Sequence, residues 1–314
     1  MGKIVALGEI VADIYRDESA SSVEMPFTAR PGGAPANVAV AASRLGTEAT
    51  LVGSVGNDLF GAFILNALEA EGVDTEGVRR CEPPTRTSLA FVETDEEGDR
   101  EFTFYRSDPA ADELLSPEDI SEELFSGASF VNFGSIPLIQ DPVASAIKEA
   151  AKRAADMGVS VAFDVNFREH LWESVAVARE AVDPLFDLSR IVKLSDDELS
   201  PLLGVDDEQE AANTLLDRGV ELVLVSLGPD GAFYATSEFS GGVPAFDVEV
   251  VDATGAGDAF LAATLSYLSD RESFDEKTVR EAARRGTAAG AFACTDYGAM
   301  SALPTDGKLE RFMQ

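Results

Sequence analysis

Between residues 128 and 228, short apolar runs of strand length alternate with amphipathic stretches of helix length. "ASFVNFGSI", "VSVAFDVNF", "RIVKLSDDEL" and "VELVLVSLG" are the runs. "DPVASAIKEAAKRAADMG", a stretch from about Ser174 to Leu188, and "DEQEAANTLLDRG" separate them. The same alternation opens the chain. "KIVALGEIV" reads as a first strand, and "RPGGAPANVAVAASRLG" continues with helical spacing to Leu45 and a glycine stop at Gly46. "EATLVGSVG" is a strand, and "DLFGAFILNALEAEG" an amphipathic helix closed by Gly72. Two helices, Ala259 to Leu268 and Lys277 to about Cys294, are expected to close the chain. Strands that alternate with helices predict an α/β fold of three layers, a mainly parallel sheet covered on both faces. Such sheets bind ligands at the carboxyl ends of their strands.

One region has a different texture. "RTSLAFVETDEEGDREFTFYR" alternates apolar and polar residues around "DEEG", the pattern of an antiparallel hairpin. With part of residues 11–31 it predicts a small β element lying over the ligand edge of the main sheet. No repeat, low-complexity tract or linker divides the 314 residues. A single domain, 1–314, is expected, with lid strands inserted at about 11–31 and 88–106.

Composition excludes several functions. Asp and Glu number 57 against 24 Lys and Arg, a net charge of -33 spread along the whole chain. An excess of this size repels itself in dilute buffer, and molar salt screens it over about 3 Å. A halophile's cytoplasm suits such a chain. No basic stripe is available to neutralise nucleic-acid phosphates. Cys81 and Cys294 match no metal spacing or disulfide framework and read as free thiols in a reducing compartment. The single histidine, His170, argues against His-rich metal sites. No apolar run approaches the ~18 residues of a membrane span. A cytoplasmic location without membrane partners is expected.

The chemistry concentrates in "DATGAGDAF". Gly255, Ala256 and Gly257 let main-chain N–H groups approach a ligand at a helix start, where unpaired donors and partial positive charge favour anions. Asp258 stands at the mouth of this cradle, where a carboxylate can take a proton from an acceptor hydroxyl during phosphoryl transfer. A capping acid at a helix start explains Asp258 equally well in isolation. "GGAPAN" (Gly32, Gly33 and Asn37) is a second glycine-rich turn into a helix, its amide suited to sugar hydroxyls or to capping. Asp13 follows the first strand. Asp164, Asn166 and Arg168 end another, and Arg106 ends the lid hairpin.

"DATGAGDAF" together with "GGAPANVAVAASRLG" resembles the paired signatures of the PfkB, or ribokinase-like, carbohydrate kinases. "VGNDLFG", "DTEGV", "REFTFYR", "NFGSI", "FDVNFREHLW", "KLSDDEL", "VSLGPDGAF" and "GAMSALP" extend the likeness in order along the chain, towards fructokinases in particular. The resemblance implies a ribokinase-like three-layer sandwich and ATP-dependent transfer of the γ-phosphoryl group to a sugar's primary hydroxyl. It implies Asp258 as general base and Gly255, Ala256 and Gly257 as the anion hole. It implies Asp13, Gly32, Gly33, Asn37, Arg106 and Asn166 around the sugar. Lys193, Ser226, Gly228, Gly231 and Thr287 would face the nucleotide, and Glu198 the Mg²⁺ near the phosphates. Asp252, Thr254, Gly298 and Ser301 match a monovalent-cation loop, with K⁺ as activator. A homodimer through the lid is also implied. Two positions depart from the family pattern: Ser195 stands where its N-x-x-E motif begins, and Thr287 where many members carry Asn. 2-Keto-3-deoxygluconate kinase, ribokinase and a silent sugar- or nucleotide-binding regulator are the rival readings.

Because ATP is itself an anion, activity and ATP affinity should be low in dilute buffer and rise with KCl. NaCl or a large organic cation at equal ionic strength should restore folding without the K⁺-specific part of the rate. Identical rates in all three salts would remove the cation loop from the scheme.

Overall fold

Gly8 breaks the first apolar run in two. In the computed structural model, which describes residues 2–16, 23–94, 100–271 and 273–314, β1 covers Lys3–Leu7 and β2 covers Val11–Arg16. Gly8 turns the chain at a φ of +146°, and a Cβ there would lie 2.7 Å from Pro35 Cγ. The single strand expected over "KIVALGEIV" is therefore two strands in different sheets. Asp13 lies within the second rather than just past the first.

The remaining elements follow in order. β3 (Phe27–Gly32) leads into α1 (Ala34–Arg44), then β4 (Glu48–Gly56), α2 (Leu59–Ala70) and β5 (Asp74–Cys81). β6 (Ser88–Thr94) and β7 (Arg100–Tyr105) form the expected hairpin, whose "DEEG" turn falls outside the described residues. β8 (Phe130–Phe133), α3 (Val143–Asp156), β9 (Ser160–Asp164), α4 (Val175–Phe186) and β10 (Ile191–Ser195) keep the alternation. They are followed by α5 (Asp196–Leu203), α6 (Glu208–Leu216), β11 (Leu222–Ser226), β12 (Ala232–Ala235) and β13 (Ser240–Val243). The chain closes with α7 (Ala256–Leu268), α8 (Glu276–Ala293), α9 (Ala299–Ala302) and α10 (Asp306–Phe312).

The main sheet has the order β13-β12-β11-β10-β9-β8-β1-β4-β5, parallel except where β12 and β13 fold back. Alternate residues of β1 face opposite layers. Ile4 and Ala6 join the core formed with α1, α2, α7 and α8, whereas Val5 and Leu7 join that of α3, α4, α5 and α6. From β1 the sheet grows through β4 to β5 on one side and from β8 to β13 on the other. The switch point between β1 and β8 marks the edge where such sheets take ligands. The lid is a separate sheet of order β3-β2-β6-β7.

Three local expectations need correction. β5 carries exposed polar residues because it is an edge strand, which hid it from an apolar pattern. α5 begins with a capping box between Ser195 and Glu198, inside the run "RIVKLSDDEL", which therefore divides into β10 and a helix start. α7 starts at Ala256, so the last residues of the cradle are already helical, and α9 and α10 extend the chain beyond the two closing helices expected.

Two glycines on α8 set how closely α7 packs. A Cβ at Gly286 would come within 2.5 Å of Thr264 Oγ1 and 2.8 Å of Phe260 Cδ2, and one at Gly290 within 3.0 Å of the Ala256 carbonyl oxygen. Gly286→Ala is expected to cost about 1–3 kcal/mol by overpacking. Chemical denaturation reads this as a lower midpoint with unchanged slope, and an unchanged midpoint would mean that the helices separate freely.

Candidate active site

Two glycine turns bring two helix N-termini against each other. Gly33 caps α1 at φ +104°, where a side chain would run into the Glu9 carbonyl. Gly255 caps α7 at φ +80°, and a Cβ there would stand 2.8 Å from that of Ala299. Asn37 in the first turn of α1 donates from Nδ2 to Asp258 Oδ2 in the first turn of α7, at 2.7 Å. Asp258 is only 8% exposed. Burial pushes its carboxyl up to about 6 against the Asn37 hydrogen bond; Asp164 adds to the rise, while Lys193 and Arg168 draw it down.

The cradle above Asp258 is open. Residues 254–257 are partly exposed, and the Gly255, Gly257 and Asp258 N–H groups have no hydrogen-bond partner among the described residues. The Ala256 N–H turns inward to the Ala253 carbonyl at 3.2 Å. Of the expected donors, Gly255 and Gly257 thus remain available, and Asp258's own amide joins them in place of Ala256's.

Under the cradle lies a buried charge cluster. Lys193 Nζ is 3.0 Å from Asp164 Oδ1 and would be 3.1 Å from a Cβ on Gly257. Burial disfavours the Lys193 charge, but Asp164, Glu198 and Asp258 outweigh it, so the ammonium is held above its ordinary value. Glu198 is raised by burial despite Lys193. Its two oxygens accept from Phe167 N at 2.5 Å and Ser195 N at 2.8 Å. Asp164 Oδ1 is buried, and the Lys193 ammonium is its charge partner. Asn166, next along, is in the left-handed region at φ +42°.

The lid side of the site holds Asp13, Gly32 and Arg106, three of the residues expected around the sugar, and two acids that sequence reasoning missed. Gly32 pairs with Val11 in the β2–β3 ladder, diagonal to Asp13, so that any side chain at 32 would strike the Asp13 carboxylate. Arg106 pairs with Asp112 at 3.0 Å and Glu113 at 3.5 Å, its Nε buried and unpartnered. Asp112 also accepts from Ser88 Oγ at 2.5 Å. Glu9, 6% exposed, accepts from the Ala34 N–H at 3.1 Å through Oε1, while its Oε2 is buried without a partner. Burial pushes the Glu9 carboxyl up to about 7; its own amide and that of Ala34 oppose the rise, and the charges of Asp258 and Asp112 add to it. The signal was available: Glu9 is the one charge between Ile4 and Ala12, in an otherwise apolar run. Asp112 offered none, being one acid among 57.

The remaining expected residues divide. Ser226 ends β11, its hydroxyl 3.3 Å from the Leu194 carbonyl, and Gly228 turns beside it at φ +53° in open space. Gly231, at φ +105°, is required by the hairpin, since a Cβ would run into the Val243 carbonyl. Thr287 spends its hydroxyl on the Arg284 carbonyl within α8, at 2.9 Å. Asp252 accepts from Thr254 N at 2.8 Å and Gly298 N at 2.6 Å, tying the segment that enters the cradle to the turn before α9. Thr254 Oγ1 is buried without a partner, and Ser301 Oγ lies 3.1 Å from the Gly298 carbonyl. No helix among the described residues is long and apolar enough to cross a membrane.

Comparison with known proteins gives this geometry its relatives. A profile described as "pfkB family carbohydrate kinase" matches residues 1–306. The chain is 41% identical over 320 residues to "Probable fructokinase-2" of Arabidopsis thaliana, covering 100% of this chain and 96% of that one. Among solved structures it superposes on a Vibrio cholerae fructokinase in a form with fructose, ADP and calcium ion bound. The TM-score is 0.90 at 34% identity, over 100% of this chain and 99% of that one. It also superposes on an aminoimidazole riboside kinase from Salmonella enterica, complexed with aminoimidazole riboside and an ATP analog. Here the TM-score is 0.86 at 34% identity, over the whole of both chains.

Glu9 offers a test of the electrostatics. Its folded-state value is raised from 4.5 to about 7, so the folded protein holds this proton more tightly than the unfolded chain. Stability therefore falls as pH rises between those values, by on the order of 3 kcal/mol. Glu9→Gln, which cannot ionise, should raise Tm relative to the native chain at pH 8, with the difference shrinking towards pH 4.5. A lower Tm for the variant at pH 8 would show that the carboxylate is paired rather than stranded.

Proposed function

The chain belongs to the pfkB family of carbohydrate kinases and is an ATP-dependent sugar kinase; we propose that it is a fructokinase, transferring the γ-phosphoryl group to the 6-hydroxyl of D-fructose. The observation that carries the mechanism is the pairing of a buried, Asn-held carboxylate with free main-chain donors at one helix start. The names and bound ligands of its relatives support fructose as acceptor and ATP as donor.

In this mechanism Asp258 accepts the hydroxyl proton as the loose transition state collapses onto the sugar oxygen. Asn37 fixes the carboxylate's direction by holding one oxygen. The amides of Gly255, Gly257 and Asp258 receive the charge that develops on the transferring group, with the helix dipole of α7 behind them. Lys193 adds a fixed positive charge directly below. Asp13, Gly32, Gly33, Arg106 and Asn166 orient the sugar, and the lid keeps water, the competing acceptor, from the reacting phosphoryl. Asp164 and Glu198, two buried carboxylates beside Lys193, suit a hydrated Mg²⁺ near the nucleotide phosphates; such an ion would neutralise phosphate charge. The Asp252, Thr254, Gly298 and Ser301 loop, with its unpartnered Thr254 hydroxyl, suits K⁺ as activator. Phe27, Phe91 and Tyr105 form an aromatic ladder on the lid, with centroids 5.3 and 4.8 Å apart. Phe27 and Tyr105 are exposed, which supports a homodimer through this face.

A second reading has one observation behind it. Arg168 is exposed at the end of the β9 connection and its charge reaches Asp258. That is the kind of group a sugar acid such as 2-keto-3-deoxygluconate requires. Phosphorylation of fructose, 2-keto-3-deoxygluconate, ribose and adenosine at molar KCl separates these acceptors; fructose should lead the panel by kcat/KM. Preference for the sugar acid would transfer the assignment to that activity.

Asp258→Asn should lower turnover by about 10²–10⁴-fold while sugar and ATP binding stay nearly intact. Because the base works ionised, kcat/KM of the native chain should rise with pH through about 6 and level off above. Near-native turnover of the variant, or a profile flat from pH 5 to 8, would remove Asp258 from the mechanism.

A further inference from the structure

Arg30 joins three parts of the molecule that the mechanism treats separately. It sits on β3, and the β2–β3 register places it directly across from Asp13. Its guanidinium carbon lies 5.3 Å from the Tyr15 ring centroid, so the side chain leans along the lid. Its Nη1 leaves the lid altogether, donating to the Tyr297 carbonyl and, at 2.6 Å, to Ser301 Oγ. Ser301 Oγ also lies 2.6 Å from the Tyr297 carbonyl, which closes a three-membered polar contact at the turn into α9. Gly298 makes room for it, since any Cβ there would collide with Nη1.

This turn is not an ordinary surface loop. The Gly298 N–H is held by Asp252, two residues before the cradle, at 2.6 Å. Ala299 packs on Gly255, so closely that only a glycine fits at 255. Displacement of the turn is therefore passed to Gly255 through hard contact and to Thr254 through Asp252. A continuous path of touching groups runs from the strand pair carrying Asp13 to the donors that receive the phosphoryl group.

We propose that Arg30 is a positioning residue that locks the sugar-side lid to the phosphate cradle, so that the cradle reaches its productive geometry only with the lid seated. The inference rests on the kinase reading above and deepens it. Arg30 touches neither substrate in this scheme; it acts through Ser301 and the Tyr297 carbonyl. When the lock is lost, the lid opens more often and water replaces the sugar hydroxyl as acceptor. The γ P–O bond then breaks to give ADP and inorganic phosphate rather than ADP and sugar phosphate. Charge alone does not secure the lock: a lysine offers a point charge in place of the planar fork and reaches the two acceptors less well.

The test measures ADP and sugar phosphate in the same reaction for the native chain, Arg30→Gln, Arg30→Lys, Ser301→Ala and the Arg30→Gln/Ser301→Ala double variant. Arg30→Gln should lower kcat for sugar phosphorylation about tenfold and raise the share of ATP lost to water by a similar factor. The ATP KM should stay within about twofold, Arg30→Lys should recover part of the loss, and the double variant should be no worse than Arg30→Gln alone. An unchanged partition between sugar and water in folded Arg30→Gln, or effects of the two single changes that simply multiply, would overturn the inference. If the native chain itself made no sugar phosphate from any acceptor in the panel, the kinase reading would fail and the inference with it. Normal transfer by the native chain with an unchanged partition in Arg30→Gln sinks the inference alone.

Discussion

The 2.7 Å hydrogen bond from Asn37 to Asp258 holds two helix starts face to face, and much of the surrounding structure exists to permit it. Each helix enters through a glycine at positive φ whose missing side chain is filled by the partner's surroundings: the Glu9 carbonyl at Gly33 and Ala299 at Gly255. α7 reaches this position by lying close on α8, against Gly286 and Gly290. With the helices set, their first turns supply a carboxylate, an amide and free main-chain donors within one small volume. Substitution at a distance can therefore act on the chemistry through backbone position alone.

The same arrangement resolves a conflict in charge. A chain at -33 has to accept a nucleotide that is itself strongly anionic. Its positive potential at the site comes mostly from sources that residue counting misses: the N-terminal ends of α1 and α7, free amides, and a lysine kept charged by three surrounding carboxylates. Acidic residues elsewhere are spread over the surface, where salt screens them. Lys193 is one of 6 lysines in the chain, and it lies buried beneath the cradle.

Legibility from sequence followed periodicity. Helices and strands buried on a regular face, such as α3, β9 and β11, could be read directly, and so could the lid hairpin, because alternation marks one-sided burial. β5 was hidden because an edge strand carries polar residues, and α5 because its capping box sits within an acidic stretch. In the site, glycine turns and their following polar residues were visible as motifs. What was not visible was pairing across long separations. Nothing local in sequence links Arg30 to Ser301 or Glu9 to Ala34. Ala256 shows the complementary limit: the motif marks a cradle, but only geometry shows that this amide turns inward.

Gly8 stands where β1 hands the chain to the lid, and its N–H still donates to the Val52 carbonyl at 3.0 Å. The lid is thus rooted in a buried strand of the main sheet, yet it shares no strand with it. Its four strands form a separate sheet, tied back to the main frame through the Arg30 contacts and a shared core. A lineage of such proteins could exchange acceptors by rewriting that sheet, provided the contact from β3 to the phosphate-handling frame is kept.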